Sequence, residues 1–212
     1  MMKSIMISIK PKWCELIANG KKTIEIRKTR PKIYTPFKCY IYCTKERNQF
    51  LWSGKKYRYV DDHSHNMFDK ALNGKVIGDF VCDEIYTIDC DSTGFFYKGK
   101  KGYIKKELEY NSCLSEGDIF SYLFPNVGYG WHISELKIYD EPKKLTNFKV
   151  KDNYRIERCA ARERVYNNPD FTNESLLKGS YYCNKYNDFC DKCLTKELTK
   201  PPQSWCYVDE LR

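Results

Sequence analysis

Apolar and polar positions alternate in short stretches along the chain, which predicts a protein built mainly of β-strands. Residues 4–10 carry isoleucine at every second position, so they are predicted to form a first strand with one apolar face. Pro11 then opens a predicted helix at a position where its missing amide hydrogen costs nothing. Gly20 suits a left-handed cap at the end of that helix. Residues 23–27 alternate again, so the chain is predicted to begin with strand, helix and strand.

Further stretches repeat this alternation. Strands are predicted at 37–44, 74–89, 129–133 and 202–208. Between them, residues 46–73 break the rhythm and are predicted to form a loop or hairpin insertion. Ser115 to Asp118 has the spacing of a capping box ahead of apolar residues, so a short helix is predicted to start there.

The polar face of residues 23–27 is the first candidate for chemistry. Glu25 and Arg27 are two residues apart and point the same way, with Thr23 beside them and Lys22 just before the strand. A lysine, a carboxylate and a guanidinium on one rigid strand suit an anionic, hydrogen-bonding ligand such as a nucleotide. The alternative is an ordinary solvated strand face with a Glu–Arg pair.

The same segment carries a family resemblance. A strand, a helix, a glycine, basic residues and then Glu, one residue and Arg resemble the opening of the ASCH superfamily, small β-barrels related to the PUA domains of RNA-modifying enzymes. The matching residues are Gly20, Lys21, Lys22, Glu25 and Arg27. Three later stretches, 74–80, 129–133 and 202–208, look like strands of that family.

The resemblance runs from about residue 3 to about residue 148 and resumes at the last strand. It implies a mixed α+β fold, a PUA-like (ASCH) β-barrel with short helices, in a larger bacterial or phage-type member. The barrel is predicted to be elaborated by the mid-chain loop insertion and by a C-terminal insertion before the last strand. We therefore expect a barrel at 1–148, a helical, cysteine-containing insertion at 149–200, and a final barrel strand at 201–212.

Two functions from different classes follow from the resemblance. The first is binding of RNA or a nucleotide through a PUA-like cleft. The second is hydrolysis of a modified nucleoside or of RNA, because small ASCH enzymes that deacetylate a modified cytidine use a lysine to activate a threonine. In this chain Lys22 matches the lysine, but Glu25 stands where the nucleophilic threonine would be. A carboxylate cannot act as an alcohol nucleophile, so binding is favoured, and Lys22 and Glu25 are catalytic only in the alternative.

Charge indicates where a nucleic acid would lie. Residues 20–58 contain twelve Lys and Arg against two Glu, a local balance of +10 in a chain whose net charge is +9. Predicted phosphate contacts are Lys21, Lys28, Arg30 and Lys32. Predicted ligand contacts, including aromatic residues that can stack a base, are Trp13, Lys22, Thr23, Glu25, Arg27, Tyr42, Thr44 and Trp131.

Cysteines supply one further hypothesis. The chain has eleven of them, an odd number that fits a secreted disulfide framework badly. Cys183, Cys190 and Cys193 are spaced so that the last two can reach one zinc ion, with Cys206 or Cys159 as the fourth ligand. The alternative is that all are reduced structural residues. Reduced structural cysteines are the favoured interpretation, so we expect no cofactor unless these cysteines bind the one structural zinc.

Hydropathy and the N-terminus bear on location. No run of eighteen apolar residues is present, so no membrane span or membrane partner is expected. The first residues lead straight into a strand without a secretion signal, so the protein is expected to be cytoplasmic.

Overall fold

The computed structural model describes residues 4–47, 49–52, 57–60, 70–91, 94–98, 105–151, 182–183, 188–189 and 195–209. The helices in these ranges are α1 (Pro11–Ala18), α2 (Lys105–Ser112) and α3 (Glu116–Leu123), with a 3-10 turn at Leu145–Asn147. The strands are β1 (Ser4–Ile9), β2 (Ile24–Arg27), β3 (Phe37–Cys43), β4 (Gln49–Trp52), β5 (Tyr57–Val60), β6 (Lys70–Ala71), β7 (Val76–Cys82), β8 (Ile85–Asp91), β9 (Gly94–Lys98), β10 (Gly128–His132), β11 (Ser134–Lys143), β12 (Lys149–Lys151), β13 (Tyr182–Cys183), β14 (Asp188–Phe189), β15 (Thr195–Glu197) and β16 (Trp205–Val208).

Two larger sheets organise the described strands. The first sheet is five-stranded in the order β11-β7-β3-β1-β16, and the second is four-stranded in the order β2-β10-β8-β9. In the first sheet β1 and β3 are parallel, and the last strand, β16, pairs antiparallel with the first, Ser4 opposite Val208. Smaller sheets are formed by β5-β4-β6, β12-β15 and β13-β14. The mixed α+β class predicted from the sequence is confirmed.

Three clusters of buried apolar residues hold these layers together. The central cluster lies between the two larger sheets, where Phe37 of β3 meets Trp131 of β10 with ring centroids 5.8 Å apart. The second cluster joins Ile24 and Ile26 of β2 to apolar residues of α2 and α3. The third covers the other face of the first sheet, where Phe148 packs against Tyr40. Such burial contributes roughly 25 cal/mol per Å² of apolar surface removed from water.

The predicted strand 74–89 is wrong as a single element. It forms two strands, β7 and β8, which belong to different sheets. The simple alternation also fails within β7, because the pairing with β3 shifts register beside Ile41. Ile77 consequently faces the central cluster together with Phe80 and Cys82, whereas Val76 faces the third cluster, although strict alternation would put Val76, Phe80 and Cys82 on one face. Further along, a Cβ at Gly78 would meet the carbonyl oxygen of Lys137, so this glycine lets β11 approach β7 closely.

Other elements compare with the predictions as follows. The insertion at 46–73 contains a hairpin, β4 with β5, and β4 also pairs with β6. The capping box at Ser115 is confirmed, since its hydroxyl accepts from the Asp118 amide and Asp118 accepts from the Ser115 amide. Helix α2 was not predicted. No described helix is long and apolar enough to cross a membrane.

Within the C-terminal insertion the structure describes residues 149–151, 182–183, 188–189 and 195–200. Its first and last segments, β12 and β15, pair antiparallel, with Lys149 opposite Glu197. The helix predicted within 149–200 falls on residues outside those described. The division of the chain into these three predicted segments therefore stays a prediction.

Candidate functional site

Strand β2 is buried on both faces, which a solvated charged strand would not be. Ile24 and Ile26 face the helices in the second cluster. Glu25 and Arg27 point the opposite way, toward the first sheet, and the Arg27 Nη2 donates to the carbonyl oxygen of Ser8 in β1 at 2.6 Å. The charged face predicted from the sequence therefore lies between the two sheets, where a charge is costly unless it is paired.

The three charged residues form one ion-pair network, which we call the Glu25 site (Lys22, Glu25 and Arg27). Glu25 Oε1 lies 2.9 Å from Arg27 Nη2, and Glu25 Oε2 lies 3.3 Å from Lys22 Nζ. Lys22, Glu25 and Arg27 are only 2, 7 and 8% exposed. Two cations share one carboxylate, so the site keeps a net charge of +1, which favours an anionic or electron-rich ligand.

Helices α1 and α2 fix the position of Lys22. Its Nζ donates to the carbonyl oxygen of Ser112, at the end of α2, at 2.7 Å. The same nitrogen lies 5.3 Å from the ring centroid of Trp13, a partly exposed residue of α1. Thr23 is held next to them, because its amide donates to Asn111 of α2. The structure thus places the predicted residues Trp13 and Thr23 beside the Glu25 site.

Two of the predicted stacking residues need correction. Trp131 lies directly opposite Glu25 in the β2–β10 pairing, so it shares the face of the Glu25 site. It is fully buried against Phe37 and Trp205, and it forms a wall of the site rather than an open platform for a base. Tyr42 is buried in the third cluster, on the other face of the first sheet, and is removed from the predicted contacts.

Three buried polar side-chain atoms among the described residues have no hydrogen-bond partner: Arg27 Nε, Trp131 Nε1 and Thr44 Oγ1. All three belong to the predicted ligand set. Buried polar groups are nearly always paired, and leaving one unpaired costs about 1–3 kcal/mol. Arg27 and Trp131 can only donate, so a ligand that satisfies them must present acceptors such as carbonyl oxygens, ring nitrogens or phosphate oxygens. Thr44 lies at the end of β3, where its amide donates to the carbonyl of Ile9.

The four predicted phosphate contacts are all exposed, at both ends of β2. Lys21 precedes the strand, while Lys28, Arg30 and Lys32 follow it in the segment 28–36. This segment, which we call the basic loop, is tied to β16. The Lys32 amide donates to the hydroxyl of Tyr207 at 2.8 Å, and the Trp205 Nε1 donates to Thr29 Oγ1 at 2.9 Å.

Sequence reasoning missed Tyr122 of α3 as a site residue. Lys28 Nζ lies 5.0 Å from the centroid of its ring, so the tyrosine sits where β2 ends. Burial raises the pKa of the Tyr122 hydroxyl above its usual value. The nearby charge of Arg27 acts to lower this pKa, and that of Glu25 acts to raise it. In the sequence Tyr122 is one of the residues that follow the predicted capping box, and nothing in that local pattern indicates a contact with the end of β2.

The zinc hypothesis stays a prediction. Cys206 is described and lies in β16 beside Met6 of β1, where burial raises the pKa of its thiol to about 11. Cys190, Cys193 and the side chain of Cys183 lie outside the described residues. Within the described part of the chain, no three metal-ligating side chains come together.

Comparisons with known proteins complete the picture of the site. Residues 7–85 match the model of the ASCH domain family. The matched segment begins within β1 and includes the Glu25 site and β7. No curated protein matches the chain. Similar solved structures include that of ASCH from Zymomonas mobilis, at 14% identity and a TM-score of 0.49, covering 98% of this chain and 89% of that one. A point mutant of the same Zymomonas mobilis protein matches at 14% identity and a TM-score of 0.47, covering 98% and 91%.

Proposed function

Residues 7–85 match the ASCH domain family, and from that premise we propose that the protein binds RNA or a nucleotide at the Glu25 site. The observation that carries the proposal is the set of unpaired buried donors, Arg27 Nε and Trp131 Nε1, beside a buried carboxylate. A nucleotide offers what these groups lack, because its base carbonyls, ring nitrogens and phosphates are all acceptors.

Each group of the site has a role in this proposal. Glu25 accepts a hydrogen bond from a base edge or a ribose hydroxyl, while Lys22 and Arg27 meet anionic or carbonyl oxygens. The ion pairs hold these side chains in position before the ligand arrives, so little ordering is needed on binding. The exposed cations of the basic loop neutralise phosphates, which makes affinity fall as salt rises.

Hydrolysis of a modified nucleoside or of RNA is the second candidate. One observation favours it: the buried Lys22 Nζ and Glu25 Oε2 are 3.3 Å apart, which suits a general acid and base acting together. Against it, Glu25 holds both cations and occupies the position at which related deacetylating enzymes carry an alcohol nucleophile. Binding is therefore the preferred function.

Substituting Glu25→Gln separates the two candidates, because it removes the charge and keeps the shape. Binding of fluorescently labelled RNA and of nucleotides should weaken by about 1–3 kcal/mol, the value of one charge-assisted hydrogen bond. A hydrolase would instead lose two or more orders of magnitude in turnover while still binding. Glu141→Gln, which changes an exposed carboxylate of β11, is the matched control.

Two results would overturn the proposal. If the wild type binds no nucleotide and no RNA even at low salt, the Glu25 site does not serve this function. If the wild type deacetylates an acetylated cytidine or cleaves RNA, and Lys22→Ala abolishes that turnover, hydrolysis replaces binding. Mass spectrometry of small molecules and RNA that co-purify with the protein would identify the ligand.

A further inference from the structure

One exposed aromatic residue lies within the basic loop, and two more lie in α3 or just after it. Tyr34, within the loop, is 94% exposed, and Tyr122 of α3 is 40% exposed. Phe124, just after α3, is also exposed, and its ring stacks on Phe120 with centroids 4.8 Å apart. Large apolar side chains are seldom left in water together unless they meet a partner.

The basic loop presents its side chains in a fixed order. Pro31 is buried and Ile33 packs against the central cluster, whereas Arg30, Lys32 and Tyr34 point outward. The hydrogen bonds from the Lys32 amide to Tyr207 and from Trp205 to Thr29 hold the loop against β16. Cations and an aromatic ring are therefore displayed together on an anchored backbone.

Tyr122 connects this surface to the Glu25 site. Lys28 Nζ lies 5.0 Å from its ring centroid, and Lys28 directly follows Arg27 in the chain. The charges of Arg27 and Glu25 both act on the pKa of the Tyr122 hydroxyl, which agrees with this proximity. A nucleotide that stacks on Tyr122 therefore meets a cation beside the ring.

We propose that the basic loop and Tyr122 bind the unpaired nucleotides adjoining the nucleotide held at the Glu25 site, so that the ligand is single-stranded RNA. The proposal rests on the function proposed above and adds the ligand class. Aromatic rings interleaved with cations suit single strands, because every unpaired base offers a face for stacking while the phosphates meet lysine and arginine. In a duplex the base faces are stacked on one another and cannot reach Tyr34 or Tyr122.

The test measures binding by fluorescence anisotropy at low salt. The probes are a labelled single-stranded RNA of twelve random nucleotides, a hairpin duplex of similar length, and the four nucleoside monophosphates as competitors. The variants are Tyr34→Ala and Tyr122→Leu, which remove stacking rings. Tyr110→Ala is the matched control, because Tyr110 is 81% exposed on α2, next to Asn111, which pairs with the opposite end of β2.

We expect the single strand to bind more tightly than the duplex and each monophosphate. Tyr34→Ala and Tyr122→Leu should each weaken single-strand binding by about 5- to 150-fold, the loss measured for one stacking residue, while Tyr110→Ala leaves it unchanged. Tyr34→Ala tests the surface independently of folding, since its side chain is almost wholly in water.

The failures are distinguishable. If the wild type binds none of the probes, the proposed function fails. If it binds the single strand but both tyrosine variants match Tyr110→Ala, the proposed RNA binding is upheld and the stacking surface is rejected. Equal or tighter binding of the duplex, or of one monophosphate, would also reject the single strand as the ligand.

Discussion

Removing the charge of Glu25 should destabilise the fold, because this carboxylate is what makes the other two buried charges tolerable. Lys22 and Arg27 have side chains only 2 and 10% exposed, and Glu25 is the acidic partner of both. In Glu25→Gln the side chain can still accept one hydrogen bond, but the site holds two cations and no anion.

The size of the effect follows from the geometry. Breaking a buried pair by removing one partner costs about 3–5 kcal/mol. The two cations lie 2.9 and 3.3 Å from opposite oxygens of one carboxylate. The two cations are therefore at most about 8 Å apart, and at an effective dielectric constant of about 20 they repel each other by about 2 kcal/mol or more. We expect Glu25→Gln to lower the free energy of unfolding by about 3 kcal/mol, within the range for breaking such a pair.

Urea denaturation followed by tryptophan fluorescence measures this free energy. A second variant, Lys22→Met in the Glu25→Gln background, removes the repulsion and should recover about 2 kcal/mol, so the two substitutions should not be additive. Glu141→Gln should leave stability unchanged, because Glu141 is exposed. A loss below about 1 kcal/mol in Glu25→Gln, or no recovery in the double variant, would refute the buried network, since exposed ion pairs contribute no more than that.

Three further predictions address charge, metal and pH. Reversing Lys28, Arg30 and Lys32 to Glu should weaken RNA binding and make the slope of log binding constant against log salt concentration shallower by about 2, because each phosphate contact to a single strand contributes about 0.7 to that slope. An unchanged slope would contradict this prediction, and so would the same change on reversing the exposed Lys149 and Lys151 of β12. Elemental analysis of protein purified without chelators should find close to one zinc per chain if the C-terminal cysteines bind metal, and less than about a tenth of an equivalent would reject the site. Partial burial acts to raise the pKa of Asp83, but its 2.7 Å hydrogen bond with His132 prevails and holds that pKa below its usual range. A carboxyl whose pKa is lower in the folded state stabilises the fold above its unfolded pKa of about 4, and this stabilisation is lost as pH falls through the folded-state pKa. Asp83→Asn should therefore lower the urea midpoint at pH 6 more than at pH 3. Equal losses at the two pH values would contradict the pairing of Asp83 with His132.

Local pattern predicted the start of the fold well. The strand over 4–10, the helix opened by Pro11 and the strand over 23–27 all appear, as β1, α1 and β2. The capping box at Ser115 also appears, because a side chain that bonds an amide three residues later is a local interaction. The strand over 74–89 failed, since neither the division into β7 and β8 nor the shifted register beside Ile41 is a local property.

The candidate site divides in the same way. The family pattern and the two-residue spacing selected Lys22, Glu25 and Arg27 from the sequence. The alternating pattern could not predict that this charged face is buried. Both faces of β2 are covered: α2 and α3 cover one, and the first sheet covers the other. Tyr42 was chosen by alternation and excluded by packing, since its face of β3 meets Phe148, more than a hundred residues later.

The sequence by itself determined the early elements, the charged strand and the concentration of cations after it, because each depends on residues close together in the chain. Only the tertiary structure decided that Glu25 bridges two buried cations and that the buried Trp131 lines the site. It also decided that Tyr122 lies beside Lys28. Lys22, Glu25 and Arg27 are close in the chain, but their burial depends on the distant elements that cover β2. Trp131 and Tyr122 come from segments about a hundred residues away, and they reach the site because the two sheets and α3 each bury an apolar face. The charged and aromatic side chains are carried into contact by that burial, with no signal of their own in the local sequence.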